Sequence, residues 1–126
     1  MKAWNTPSGF LTIGGAVLIL VGVLGFFLIG PTATDSIFGS TWYFDNAENY
    51  AHLLLGIVGL VLALGVKNAA LNKWVTALLG LVGIFFGVYS IFTPMFGAAN
   101  LENPADTILH LVVGAWALYA AFGGNE

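Results

Sequence analysis

The chain has no cysteine and no arginine. The first absence excludes disulfides, thiolate metal sites and cysteine nucleophiles together. The second leaves three lysines against six acids, a net charge of -3. So little positive charge cannot neutralise a run of phosphates, so nucleic acid is not a partner. Charged residues are scarce altogether, 7% of the chain, where a soluble domain carries roughly 25%. Most of the surface must therefore face lipid or other protein. There is no serine–histidine–acid arrangement, no phosphate loop and no His-Glu-x-x-His signature, so the reading is not an enzyme.

What is present is apolar length. Hydrophobic residues make up 59% of 126, and four stretches reach the roughly 20 residues a bilayer crossing needs. They are expected near 9–29, 48–66, 74–93 and 105–122, within one integral membrane domain over 1–126. The first run is too long for the apolar core of a signal peptide. The alternation of a membrane barrel is missing. Lys2 precedes the first helix, and Lys67 and Lys73 lie between the second and third. The segments 30–47 and 94–104 carry no lysine. The positive-inside rule then puts both termini and the short middle loop in the cytoplasm. Trp4 and Trp74 fall at the inner interface, and Trp42, Tyr43 and Tyr50 at the outer one, where aromatic rings settle.

Shifted by 58 residues, the chain matches itself without a gap. Gly22 falls on Gly80, Gly25 on Gly83, Phe27 on Phe85 and Phe38-Gly39 on Phe96-Gly97. Ala47 falls on Ala105, Glu48 on Asp106, His52-Leu53 on His110-Leu111, Gly56 on Gly114 and Gly65 on Gly123. The fold expected is an all-α bundle of four transmembrane helices, made of two parallel two-helix repeats, about 9–66 and 74–123. Such repeats are related by an axis along the membrane normal.

The shared motif opens helices 2 and 4. Asp45 and Asn103 are good N-caps, and Pro104 suits the first helical position. Glu48 and Asp106 sit three residues after the cap, as in a capping box. Each acid also precedes a histidine by four residues, on one helix face. That spacing lets Glu48 and Asp106 hold the tautomers of His52 and His110. Intramembrane histidines are either interhelical glue or functional groups. Gly56 and Gly114, one turn further, allow close helix packing or leave room for a flat ring.

The pattern of Asn49, His52, Leu53, Leu54 and Gly56, followed by Asp106, Leu109, His110, Leu111 and Gly114, resembles the DUF4383 family of small bacterial four-helix membrane proteins. Gly22 and Gly25-Phe26 resemble that family's Gly-Phe element late in helix 1. Its usual Pro-Gly turn is replaced here by Leu28-Ile29-Gly30-Pro31. The resemblance implies the fold and the importance of His52 and His110, it fits the expected place in the bacterial cytoplasmic membrane, and it supplies no activity.

Three functions follow as expectations. The first is a structural or accessory subunit, packing with itself or a larger membrane complex through glycine-lined faces and the apolar loop Ile37–Phe44. The second is a haem or chlorophyll-type pigment ligated by His52 and His110, with Gly56 and Gly114 beside it. The third is proton or ion handling through Glu48–His52 and Asp106–His110. No metal site is expected; His52 and His110 with the two acids could bind one zinc only if helices 2 and 4 touch at the histidine level.

Overall fold

The computed structural model describes residues 3–123. Lys2, part of the orientation argument, lies outside them. Helix α1 (Pro7–Leu24) is followed by a long loop with one 3-10 turn, Gly39–Thr41. Helix α2 (Asn46–Leu60) runs on as a π-helical turn, Val61–Val66. Helix α3 (Ala69–Phe92) leads into a two-residue hairpin, β1 (Met95–Phe96) and β2 (Ala99–Asn100), paired antiparallel. Helix α4 (Ala105–Leu118) ends in a second π-helical turn, Tyr119–Gly123. All four helices, with their π extensions, are long and apolar enough to cross a membrane.

The helix starts follow local chemistry. Thr6 accepts a hydrogen bond from the Gly9 N–H at 3.1 Å, with Pro7 in the first turn. Asp45 accepts from Glu48 N–H at 2.9 Å, and the Glu48 carboxylate accepts from Asp45 N–H at 3.4 Å, completing the capping box. Asn68 caps α3 by accepting from Leu71 N–H at 2.9 Å. The turn between α2 and α3 is closed by Lys67 in the left-handed conformation, φ 56°, a common helix ending.

Three boundary expectations are corrected, the first at α3, which starts at Ala69 rather than 74 because Asn68 caps it there. α1 stops at Leu24, five residues short of 29, where the backbone bonds tighten after Gly25, and the Asn49 side chain packs against the bare Gly25. A Cβ on Gly25 would lie 1.7 Å from Asn49 Oδ1. Residues 26–29 instead wind back onto the carbonyls of Val23 and Leu24. α4 begins at Ala105 with Pro104 as its N-cap and no side-chain capping bond. Asn103 does not cap it, and the Asp106 carboxylate turns back to accept from Glu102 N–H at 2.9 Å.

α1 packs on α2 and α3 on α4, and the two pairs meet chiefly through α1 and α3. The close approaches occur at glycines. A Cβ on Gly56 would sit 2.7 Å from the Gly15 carbonyl oxygen, and one on Gly114 2.9 Å from that of Gly80. Backbones this near need positions without side chains. The glycine faces are thus consumed inside the chain, which corrects the expectation that they serve contacts with other subunits. Large apolar side chains such as Leu20, Leu54, Leu78 and Val112 point outward instead.

The uniform register of 58 also needs correction. Gly15 faces Gly56 and Leu60, while Gly80 faces Gly114 and Leu118. Gly22 faces Leu53, while Gly87 faces Leu111. Ile19 lies against Gly56 as Ile84 lies against Gly114. In α2 and α4 the matching contacts are 58 apart, but in α1 and α3 they are 65 apart. The physical reason is that seven residues are close to two helical turns. Gly15 and Gly22 therefore share a face, as do Gly80 and Gly87. An ungapped match pairs the second glycine of α1 with the first of α3.

Candidate functional site

Five of the six acids of the chain precede or open α2 and α4, the exception being Glu126. The described lysines, Lys67 and Lys73, lie at the opposite end. Lys73 Nζ there sits over the Trp74 ring at 5.4 Å and the Phe122 ring at 5.5 Å. Trp4 stacks on Tyr119 at 5.9 Å at the same end. The two ends thus carry opposite charge and an aromatic belt each.

At the acidic end the two loops fold over the helix starts. The first loop is tied down by backbone bonds from Ile37 to Leu28 (3.0 Å) and from Phe44 to Ile29 (2.8 Å). This sets Trp42 over α4, where its indole N–H donates to Asp106 Oδ1 at 3.1 Å. The second loop is held by Tyr89, whose hydroxyl donates to the Met95 carbonyl at 2.7 Å, and by Phe96, packed 4.9 Å from Phe86. Its Asn100 N–H donates to Asp45 Oδ2, bridging to the α2 cap. The Asn100 amide also donates to Glu102 Oε1 at 2.6 Å. Asp45, Asn100, Glu102, Asp106 and Trp42 therefore form one network joining the two helix pairs.

Within this network Asp106 is buried, at 1% exposure, and Asp45 and Glu102 are half-buried; Glu48 of the adjoining capping box is buried as well. Glu102, in the loop before α4, is pushed up to about 9, first by burial and then by the adjacent Asp106 carboxyl. Tyr43 is raised above the ordinary phenol value by burial, then by the charges of Glu102, Asp45 and Glu48. A cleft of about 620 Å³ opens beside the network, lined by Ser40, Thr41, Tyr43, Ser90, Asn100 and Glu102 among others.

The histidines sit one turn deeper. His52 packs edge-on against Phe44 at 5.1 Å, and its Nδ1 is buried without a hydrogen bond. His110 Nδ1 lies 2.8 Å from the Asp106 carbonyl, with its ring 5.7 Å from Phe86. A carbonyl only accepts, so Nδ1 carries a proton and, in the neutral ring, Nε2 is the acceptor. The expected carboxylate-to-imidazole bonds do not form. The Glu48 side chain turns to its cap, and the Asp106 carboxylate is taken by Trp42 and Glu102. The room expected beside Gly56 and Gly114 is filled by Ile19 and Ile84. Among the described residues, no group of three or more histidines and acids is placed to hold a metal ion.

Glu102 and the linking roles of Trp42 and Asn100 escape sequence reasoning. Only the rarity of acids in this chain marks Glu102. Asn49 is another buried surprise, at 0% exposure with neither amide atom hydrogen-bonded.

Comparison with curated proteins and with solved structures found no match. The family model described as Domain of unknown function (DUF4383) matches residues 9–123. With nearly the whole chain matched, from early α1 to the end of α4, the protein belongs to the DUF4383 family.

Proposed function

We propose that this protein is a small structural or accessory subunit of the bacterial cytoplasmic membrane, acting through its surfaces on a partner or on further copies of itself. The chain reads as a duplicated helical hairpin, in parallel orientation, with register 58 between second helices and 65 between first helices. The positive-inside rule favours a cytoplasmic lysine end and termini, leaving the acidic end outside. The observation that carries the proposal is the surroundings of the histidines. Each ring packs on its own aromatic neighbour, Phe44 for His52 and Phe86 for His110. That is how a packing histidine sits. Partner contact then falls to the lipid-facing apolar sides and to the outer loop, where Ile37 and Phe38 are exposed. Mild detergent extraction of the full chain, with mass measurement and cross-linking in the native membrane, tests this. The expected result is an oligomer or a co-purifying membrane subunit. A monodisperse monomer that cross-links to nothing refutes it.

A second reading is axial ligation of a haem or chlorophyll-type pigment. What favours it is His110, oriented by its Nδ1–H on a backbone carbonyl with Nε2 as the ring's acceptor, the arrangement of many ligand histidines. An absorption spectrum of protein from cells that make the cofactor decides it, and a colourless preparation removes this reading. Ion passage through Glu48–His52 and Asp106–His110 has weaker support. The space at the bundle centre is about 80 Å³ and is lined by Leu11, Leu18, Leu55, Leu79 and Val113. Nothing there replaces the hydration of an ion.

A further inference from the structure

We propose that the cleft at the acidic end is a binding site for an uncharged polyhydroxyl ligand, a sugar ring that is either free or the headgroup of a membrane lipid. This goes beyond the accessory reading and does not rest on it.

Three segments wall the cleft of about 620 Å³. Ser40, Thr41 and Tyr43 come from the first loop, residues 90–94 from the end of α3, and residues 100–104 from the second loop. The volume falls in the range of small-molecule sites, roughly 300–1,000 Å³. The cleft lies where the loop of the first hairpin crosses the second hairpin, so neither hairpin forms it alone.

The polar groups it offers are hydroxyls and an amide. The side chains of Ser40, Thr41, Tyr43, Thr93 and Asn103 make no hydrogen bond among the described residues. Ser90, at 3% exposure, donates to the Gly87 carbonyl at 3.0 Å and so accepts from Thr107 at 2.6 Å. One lone pair of its oxygen is then left over. The carboxyl on this wall, Glu102, is answered from inside the chain. Its Oε1 accepts from the Asn100 amide at 2.6 Å, and its Oε2 is buried.

This set selects against charge. An anion meets no cation, because Lys67 and Lys73 stand at the opposite end, and the nearby acids repel it. A cation finds the two Glu102 oxygens taken or covered. A hydroxyl both donates and accepts, so a ligand made of hydroxyls pairs with every group named. The remaining wall is apolar, with Ile91 and Phe92 in the last turn of α3. A sugar ring carries hydroxyls at its edge and C–H groups on its faces, so it uses both kinds of wall. α3 is long and apolar enough to cross a membrane, which puts its last turn at the membrane–water interface. Phe92, at 81% exposure, is there uncovered on the side where the acyl chains of a lipid would run.

Native mass spectrometry of the full chain tests this. The protein is released from bilayers holding equal amounts of a glucosyl-diacylglycerol, a phosphatidylethanolamine and a phosphatidylglycerol with the same acyl chains. The glucosyl lipid should be retained about tenfold over either phospholipid, equally at low and high salt because no charge is paired. Ser40→Trp, at an exposed position, should fill the cleft and abolish the preference. Thr93→Val deletes a hydroxyl at nearly constant volume and should lower it about three- to tenfold. Should Ser40→Trp not fold, Thr93→Val decides alone. Saturation-transfer spectra with methyl glucoside distinguish the two sources. Binding of the free glucoside without retention of the glycolipid, lost in the same variants, assigns the cleft to a soluble sugar. Binding of neither, a preference for either phospholipid, or sugar binding that the variants leave unchanged overturns the proposal.

Discussion

The corrected register predicts that a polar pair can be moved from one hairpin to the other. In the second hairpin Ser90 on α3 faces Thr107 on α4, their hydroxyl oxygens 2.6 Å apart and both residues buried. The matching positions in the first hairpin hold Gly25 and Asn49. Gly25→Ser alone should destabilise. Its backbone is helical (φ -64°, ψ -17°), so serine is not strained there. Its Cβ, however, would fall 1.7 Å from Asn49 Oδ1 and 2.5 Å from Asn49 Cγ. Asn49 is fully buried and has nowhere to turn, so overpacking of about 1–3 kcal/mol is expected. Asn49→Thr alone removes an amide that makes no hydrogen bond, so its cost should stay below about 1 kcal/mol. Together the two changes rebuild the Ser90–Thr107 pair, and an interhelical hydrogen bond in a membrane adds about 0.6 kcal/mol. The double variant should therefore approach wild-type stability, with a favourable coupling of about 1–3 kcal/mol. Reversible unfolding in mixed micelles of rising denaturing-detergent fraction measures all four proteins. A Gly25→Ser protein as stable as wild type refutes the steric argument. A double variant whose loss equals the sum of the singles refutes the register.

Further outcomes follow from single contacts. Gly114→Ala must push against the Ile84 backbone nitrogen at 2.8 Å and the Gly80 carbonyl oxygen at 2.9 Å, and should cost about 1–3 kcal/mol. Gly65→Ala, with nothing within 4 Å, should stay within about 0.5 kcal/mol by the same unfolding assay. Asn68→Ala removes a cap and should cost about 1 kcal/mol, while Asn103→Ala should be neutral. Equal effects would restore Asn103 as a cap. Trp42→Phe keeps the ring beside Phe44 but deletes the donor to Asp106, so a loss of about 1.5–3 kcal/mol is expected for a bond to a charged acceptor. A neutral result would remove Trp42 from the network joining the hairpins.

Helix number was legible because membrane crossing depends on apolar length, which any window of the chain displays. The capping box at α2 was legible for a similar reason: Asp45 and Glu48 act within one turn, so spacing suffices. The same spacing misled at α4. There the Asp106 carboxylate answers to Trp42, 64 residues away, and no local rule sees that partner. Asn49 shows the limit most plainly. It stands in the motif that resembles the family, yet its side chain packs against Gly25 on a different helix, a contact that spacing along the chain does not reveal. Glu102 could not be found by spacing at all, because its character comes from partial burial in the folded loop and from one neighbouring carboxyl.

The two hairpins diverge where the loops differ. At the glycine contacts the pairs are interchangeable, Gly15 with Gly80 and Gly22 with Gly87. Beyond them the first hairpin needs seven more residues than the second to travel from the Gly25 position to the Asn49 position, compared with Ser90 to Thr107. Those residues belong to the loop that carries Trp42 across to α4. The added length has a physical use. The two hairpins meet chiefly through α1 and α3, and contact between α2 and α4 themselves is slight, so a gap at their starts is left for the loops to bridge. A longer first loop reaches over that gap and fastens Asp45 to Asn100 and Trp42 to Asp106.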